Sequence, residues 1–222
     1  MQAPSFNVPN LITVSRVVLA IIVLLLLPGA GDQTLWIAFW LTIVIIWADG
    51  LDGYFARKLK QSSKLGGILD IAGDRVVELS YWTVFATLAW IPVWVPLLFL
   101  VRGIFVDAIR SHVSEAGFTA FGDKTMMQSK VGRFLVASNF SRFSYAVAKA
   151  LAFCLVIAAH TELGARYGIE PWALFLVYFS CVFCLIRGLP VIVESRAYFL
   201  ESGPLDITVS VSDDSCEEKP SS

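Results

Sequence analysis

The chain has 222 residues, 57% of them apolar and 16% charged, with a formal net charge of −1. Soluble domains carry about 25% charged residues, and with a mean hydropathy of +0.71 this composition excludes an ordinary soluble domain. No region is basic enough to track a phosphate backbone, so nucleic acid is not an expected partner.

Residues 1–10 read as an interfacial segment, which Pro4 and Pro9 keep from running smoothly into the first apolar stretch. That stretch has no basic n-region and is too long for the apolar core of a cleavable signal, so it reads as a first membrane span. Six such stretches follow one another, at 11–28, 34–56, 67–90, 94–112, 134–160 and 171–195. Each is close to the ~20 residues that a helix needs to cross ~30 Å of hydrocarbon. The runs are continuous rather than alternating, which argues against a barrel. The expected fold is all-α: a polytopic membrane domain over 11–200, with six transmembrane helices in a bundle and a cytoplasmic-side active-site cavity. Residues 201–222 are polar and acidic and read as a disordered tail.

The connections set the orientation. Arg57, Lys58, Lys60 and Lys64 separate the second and third stretches, and Arg110, Lys124, Lys130 and Arg133 the fourth and fifth. The connections at 29–32 and 92–96 have no Lys or Arg, and that at 160–170 has only Arg166. The basic loops therefore face the cytoplasm, and an even number of spans puts both termini there too. A bacterial inner membrane is the expected location, and the lipid bilayer the first partner.

Several residues read as packing or interfacial features. Cys181 and Cys184 have CxxC spacing but sit inside an apolar run with no second ligand pair, so they read as small buried side chains. His112 and His160 belong to opposite membrane faces. Trp47, Trp82, Trp90, Trp94 and Trp172 mark interfaces or packing. Asp107 and Asp123 read as ordinary acids near or in a cytoplasmic loop.

Acids within a membrane are costly, so several together demand a reason. Asp49 and Asp52 are three residues apart at the end of the second stretch, and Asp70 and Asp74 four apart in the third. Each pair shares one helix face, and the short connection makes the two helices antiparallel neighbours. Four carboxylates converging on one cavity would repel one another unless cations sit between them. Oxygen ligands without His or Cys point to hard ions, two Mg²⁺ or Mn²⁺, which suit a diphosphate and an in-line displacement at phosphorus. Gly53, Ala56 and Gly66 leave room for a base or ribose to approach the backbone, and Arg57 can pair with a phosphate.

The run Asp49-x2-Asp52-Gly53-x2-Ala56-Arg57-x8-Gly66-x3-Asp70-x3-Asp74 resembles the signature of the CDP-alcohol phosphatidyltransferases at every fixed position. The resemblance implies that Asp49 and Asp70 are shared by both metals, that Asp52 ligates the first, and that Asp74 ligates the second and is the general base. It places Gly53, Ala56, Arg57 and Gly66 at the CDP moiety, with Ser63 near the nucleotide phosphates. The implied reaction is attack of an acceptor hydroxyl on the β-phosphorus of CDP-diacylglycerol, with CMP leaving. Family members are often homodimers, so a homodimer is an expected assembly.

The opening NVPNLITVSR is similar to the first span of phosphatidylglycerophosphate synthases. Asn10 and Arg16 could face the cavity, and Arg102, Arg142 and Lys149 are further cations within spans. A basic pocket formed by Arg16, Arg102, Arg142 and Lys149 would suit a small phosphorylated alcohol, glycerol 3-phosphate first. Arg102 and Arg142 could equally snorkel or pair with Glu78 or Glu115. The Gly-Lys-x-Lys-Thr run usual after the fourth span is replaced by SKVGRFLVASNF. Inositol phosphate, phosphatidylglycerol and amino alcohols therefore stay open as acceptors. A divalent cation carrier is the alternative from another class, but its acids would lie near the midplane in two related halves.

Overall fold

The computed structural model of the chain describes residues 8–58, 64–115 and 138–201. Among them are seven α-helices and no strand. These are α1 (Val8–Leu26), α2 (Asp32–Lys58), α3 (Lys64–Thr87), α4 (Trp94–Glu115), α5 (Asn139–Ala159), α6 (Glu162–Tyr167) and α7 (Glu170–Glu201). The six long helices correspond to the six apolar stretches. α1 starts at Val8 and takes Pro9 into its first turn, where a missing N–H breaks no helical hydrogen bond. α7 runs on through Pro190.

The main packing contacts join α1 to α2 and α3, α3 to α4, α4 to α7, α7 to α5, and α5 to α2, closing a ring of six helices. Its interior is aromatic. Trp82 of α3 stacks on Phe99 of α4, with ring centroids 4.9 Å apart, and meets Phe153 of α5 edge-on at 4.6 Å. Tyr81 stacks on Phe153 at 4.8 Å and shares a 2.9 Å hydrogen bond with Thr42 of α2. Aromatic pairs of this kind add about 0.5–1.5 kcal/mol each beyond the area they bury. One turn of α3 thereby fastens three neighbouring helices.

α6 was not expected from the sequence. Thr161 caps it by accepting from the Gly164 N–H at 3.0 Å, and Gly168 closes it in the left-handed conformation (φ 62°, ψ 45°). Gly164 lies so close to α5 that a Cβ there would stand 1.9 Å from the Ala158 carbonyl oxygen. The Glu162 N–H donates to Asp32 at 2.7 Å, and His160 stacks on Trp90 at 4.0 Å. The connections at this end of the ring are thus tied to one another.

The outer surface is apolar, with Trp40, Phe140 and Trp172 each more than three-fifths exposed. By length and composition, Phe140–Ala159 and Glu170–Val193 can cross a membrane, and Asn10–Leu26 and Asp32–Ala48 are shorter apolar segments. In α3 and α4 the apolar runs are interrupted by charges such as Asp74, Arg75, Glu78, Arg102 and Asp107.

Candidate active site

α1 presents a polar stripe to the interior. Asn10, Thr13 and Arg16 follow at intervals of three, and all are buried. Opposite them on α3 stands Gly73, where a Cβ would be 3.0 Å from Thr13 Cγ2 and 3.3 Å from Val17 Cγ2. A larger residue would push α1 away. This approach delivers the buried Arg16 guanidinium to the next residue of α3, and Nη2 donates to Asp74 Oδ1 at 2.6 Å. The pair is one-sided, because the Arg16 side chain is 4% exposed and that of Asp74 52%. Asp70, one turn earlier, is also exposed, so the two carboxylates expected on one face do share it.

The next residue turns the other way. Arg75 grips Asp107 of α4 with two nitrogens, Nε at 2.7 Å and Nη2 at 3.0 Å, and donates through Nη1 to Glu78 at 3.0 Å. The other Glu78 oxygen accepts from Lys149 of α5 at 2.7 Å. Lys149 also lies 4.4 Å from the centre of the Tyr145 ring. Two cations and two anions make this group neutral in sum, which lowers the cost of holding charges in an apolar bundle.

These contacts correct two readings. Asp107 is an interhelical partner of Arg75, not an ordinary loop acid. The described partners of Glu78 are Arg75 and Lys149, not Arg102 or Arg142. Of the cations expected to hold the acceptor, Arg16 meets Asp74 and Lys149 meets Glu78, while Arg142 is exposed and lies with Arg102 near Arg187. Arg102 is buried against Gly188 of α7, where a Cβ would stand 2.9 Å from its Cγ. Its stem lines an otherwise apolar groove of about 430 Å³ between α4 and α7, beside Val101, Phe105, Leu185 and Leu189.

Arg187 of α7 is a further cation inside an apolar run, not singled out by the sequence analysis. It is buried, donates to Ser141 of α5 at 2.9 Å, and sits 5.5 Å from the Tyr145 ring. The signal for Arg75 was local, a cation directly after Asp74 with an acid three residues on. For Arg187 it was an arginine inside an apolar run.

Asp49, Asp52, Gly53, Ala56 and Arg57 lie in the C-terminal turns of α2. Their side chains, and Ser63 altogether, lie outside the described residues. Gly66 is half-buried near the start of α3. Among the described residues no group of three or more His, Cys, Asp or Glu could hold a metal ion. Asp70 and Asp74 still offer oxygen donors one turn apart on an exposed face, which fits Mg²⁺ or Mn²⁺.

The family model for CDP-alcohol phosphatidyltransferase matches residues 6–199. The chain is similar to the CDP-diacylglycerol–glycerol-3-phosphate 3-phosphatidyltransferase of Pseudomonas fluorescens, with 30% identity over 165 residues, 70% of this chain and 84% of that protein. It is 39% identical to the protein of the same description from Aquifex aeolicus over 70 residues, 32% of this chain and 38% of the relative. The match to the Bacillus subtilis protein so described is 26% over 124 residues, 50% of this chain and 64% of that one. The last two alignments span less than two thirds of those relatives.

Proposed function

Because the chain belongs to the CDP-alcohol phosphatidyltransferase family, we propose that it transfers a phosphatidyl group from CDP-diacylglycerol to glycerol 3-phosphate and releases CMP. The observation that carries this reading is the exposed face of α3, where Asp70 and Asp74 stand one turn apart and Asp74 is engaged by a buried arginine from α1. Together with Asp49 and Asp52 at the end of α2, these residues would hold two Mg²⁺ or Mn²⁺ ions. Bound there, the ions would neutralise the diphosphate and stabilise its departing oxygen.

The chain's own residues do the rest. Gly53, Ala56 and Gly66 admit the nucleotide, and Arg57 and Ser63 bind its phosphates. Asp74 takes the proton of the acceptor hydroxyl as its oxygen attacks the β-phosphorus and the bond to CMP breaks. Arg102, Arg142 and Arg187, which lie near one another on α4, α5 and α7, would hold the acceptor phosphate. Lys149 is offset by Glu78. Glycerol 3-phosphate is preferred because the relatives are described by that substrate.

The six long helices cross a bacterial inner membrane, with the site and both termini on the cytoplasmic side and residues 201–222 as a polar tail there. Support comes from the apolar outer surface, the basic connections after α2 and α4, and the neutralised charges of α3, α4 and α5.

The test is to give the purified protein CDP-diacylglycerol with a panel of alcohols and identify the lipid by mass spectrometry. Phosphatidylglycerophosphate and an equal amount of CMP are expected with glycerol 3-phosphate. Product with another alcohol alone would replace the acceptor. No CMP with any alcohol, together with Mg²⁺ transport in liposomes, would replace the reaction with ion carriage.

A further inference from the structure

We infer that Arg16 is a positioning residue for Asp74 and not part of the acceptor pocket: α1, seated on Gly73, pins one carboxylate oxygen of the base and leaves the other for the reaction. The inference rests on the transferase reading above and deepens it.

Three observations support it. The Arg16 guanidinium is enclosed and touches Asp74 through Nη2 at 2.6 Å, whereas the carboxylate is half open. Arg16 lies eight residues into α1, about 12 Å along the helix at ~1.5 Å per residue, where a cation needs an anion beside it. The close approach at Gly73 fixes α1 at this level, since Thr13 and Val17 both press on the missing Cβ. A carboxylate at the end of two free torsions would otherwise sample several rotamers. A guanidinium this enclosed against Asp74 is also poorly placed to meet an acceptor phosphate.

Such outer partners of reacting or ligating groups typically contribute about 10–100-fold to activity or metal affinity, and a shift of about 1 Å at the reacting group about 100-fold. Arg16→Met should therefore lower kcat by roughly 100-fold while the KM for glycerol 3-phosphate stays within about twofold. Arg16→Lys keeps the charge and should retain about a tenth of the wild-type kcat.

Gly73→Ala acts from the other side. Its Cβ, 3.0 Å from Thr13 Cγ2, shifts α1 by a few tenths of an ångström and should lower kcat roughly threefold to tenfold. Thr13→Ser in that background removes the opposing methyl and should restore part of the loss.

The assay is steady-state kinetics of the full chain in mixed micelles, with binding of CDP-diacylglycerol and the Mg²⁺-induced rise in Tm measured alongside. Arg16→Met should keep CDP-diacylglycerol binding and need about tenfold more Mg²⁺ for the same rise in Tm. A tenfold rise in acceptor KM with kcat retained would return Arg16 to the acceptor pocket and overturn the inference. Should Arg16→Met lose CDP-diacylglycerol binding through misfolding, the Gly73→Ala pair decides, and unchanged kcat there overturns the inference equally. A wild-type protein that releases no CMP would instead remove the transferase reading itself.

Discussion

Replacing Glu78 by Gln keeps the size and shape of the side chain, removes its charge and turns one of its two acceptor oxygens into an NH2 donor. In the native bundle its two oxygens accept from Arg75 at 3.0 Å and Lys149 at 2.7 Å, and the side chain is 6% exposed. The two cations fare differently. Arg75 keeps its two bonds to Asp107, whereas Lys149 loses the anion that the described contacts give it. Breaking a buried pair by removing one partner costs about 3–5 kcal/mol. The low end, about 3 kcal/mol, applies because Gln still accepts a hydrogen bond and Lys149 is not fully enclosed. At about 2–4 °C per kcal/mol for a chain of this size, Tm should fall by about 6–12 °C. The fall is read by tryptophan fluorescence of the purified protein in detergent. Adding Lys149→Met removes the stranded cation and should recover most of the loss, since deleting both partners is far cheaper than deleting one. A Tm for Glu78→Gln within about 2 °C of wild type, or a double variant no better than the single one, would refute the coupling of α3 to α5.

Asp74→Asn should abolish turnover in a protein that still folds and inserts, and activity above about a tenth of wild type would count against the base assignment. Asp49→Ala should lose Mg²⁺-dependent turnover at every Mg²⁺ concentration, and recovery at high Mg²⁺ would demote it to an outer-shell acid. Gly164→Ala forces a Cβ against the Ala158 carbonyl and should destabilise by about 1–3 kcal/mol; an unchanged Tm would mean that α6 is not seated on α5. Ala89, in the turn after α3, has φ 58°, so Ala89→Gly should raise stability by up to about 1–2 kcal/mol, seen as a higher Tm.

The six long helices could be read from the sequence because each falls on a largely apolar stretch of about twenty residues, even where charges break that stretch in α3 and α4. The α3 half of the acidic set was legible for a similar reason, since residues four apart share a helix face whatever the packing. α6 was missed because six residues carry no periodic signal, although Thr161 and Gly168 are the cap residues a short helix uses. The cations inside apolar runs were harder to assign. A lone Arg or Lys in an apolar run reads the same whether it meets a ligand or a neighbouring helix, and only the packing sends Arg16 to Asp74, Lys149 to Glu78 and Arg75 to Asp107. Local charge spacing hinted at Arg75–Glu78, three residues apart, but the partner on α4 lies 32 residues away.

The pooling of the α2 and α3 carboxylates around hard cations is tested most directly by crystals grown from lipid with Mn²⁺ and CDP-diacylglycerol, using anomalous scattering from the metal. Two peaks about 3.5–4 Å apart, between the C-terminal turns of α2 and the Asp70–Asp74 face of α3, are the predicted result. Manganese elsewhere in the bundle, or Asp49 and Asp52 turned away from Asp70 and Asp74 into lipid or a separate crevice, would contradict the account.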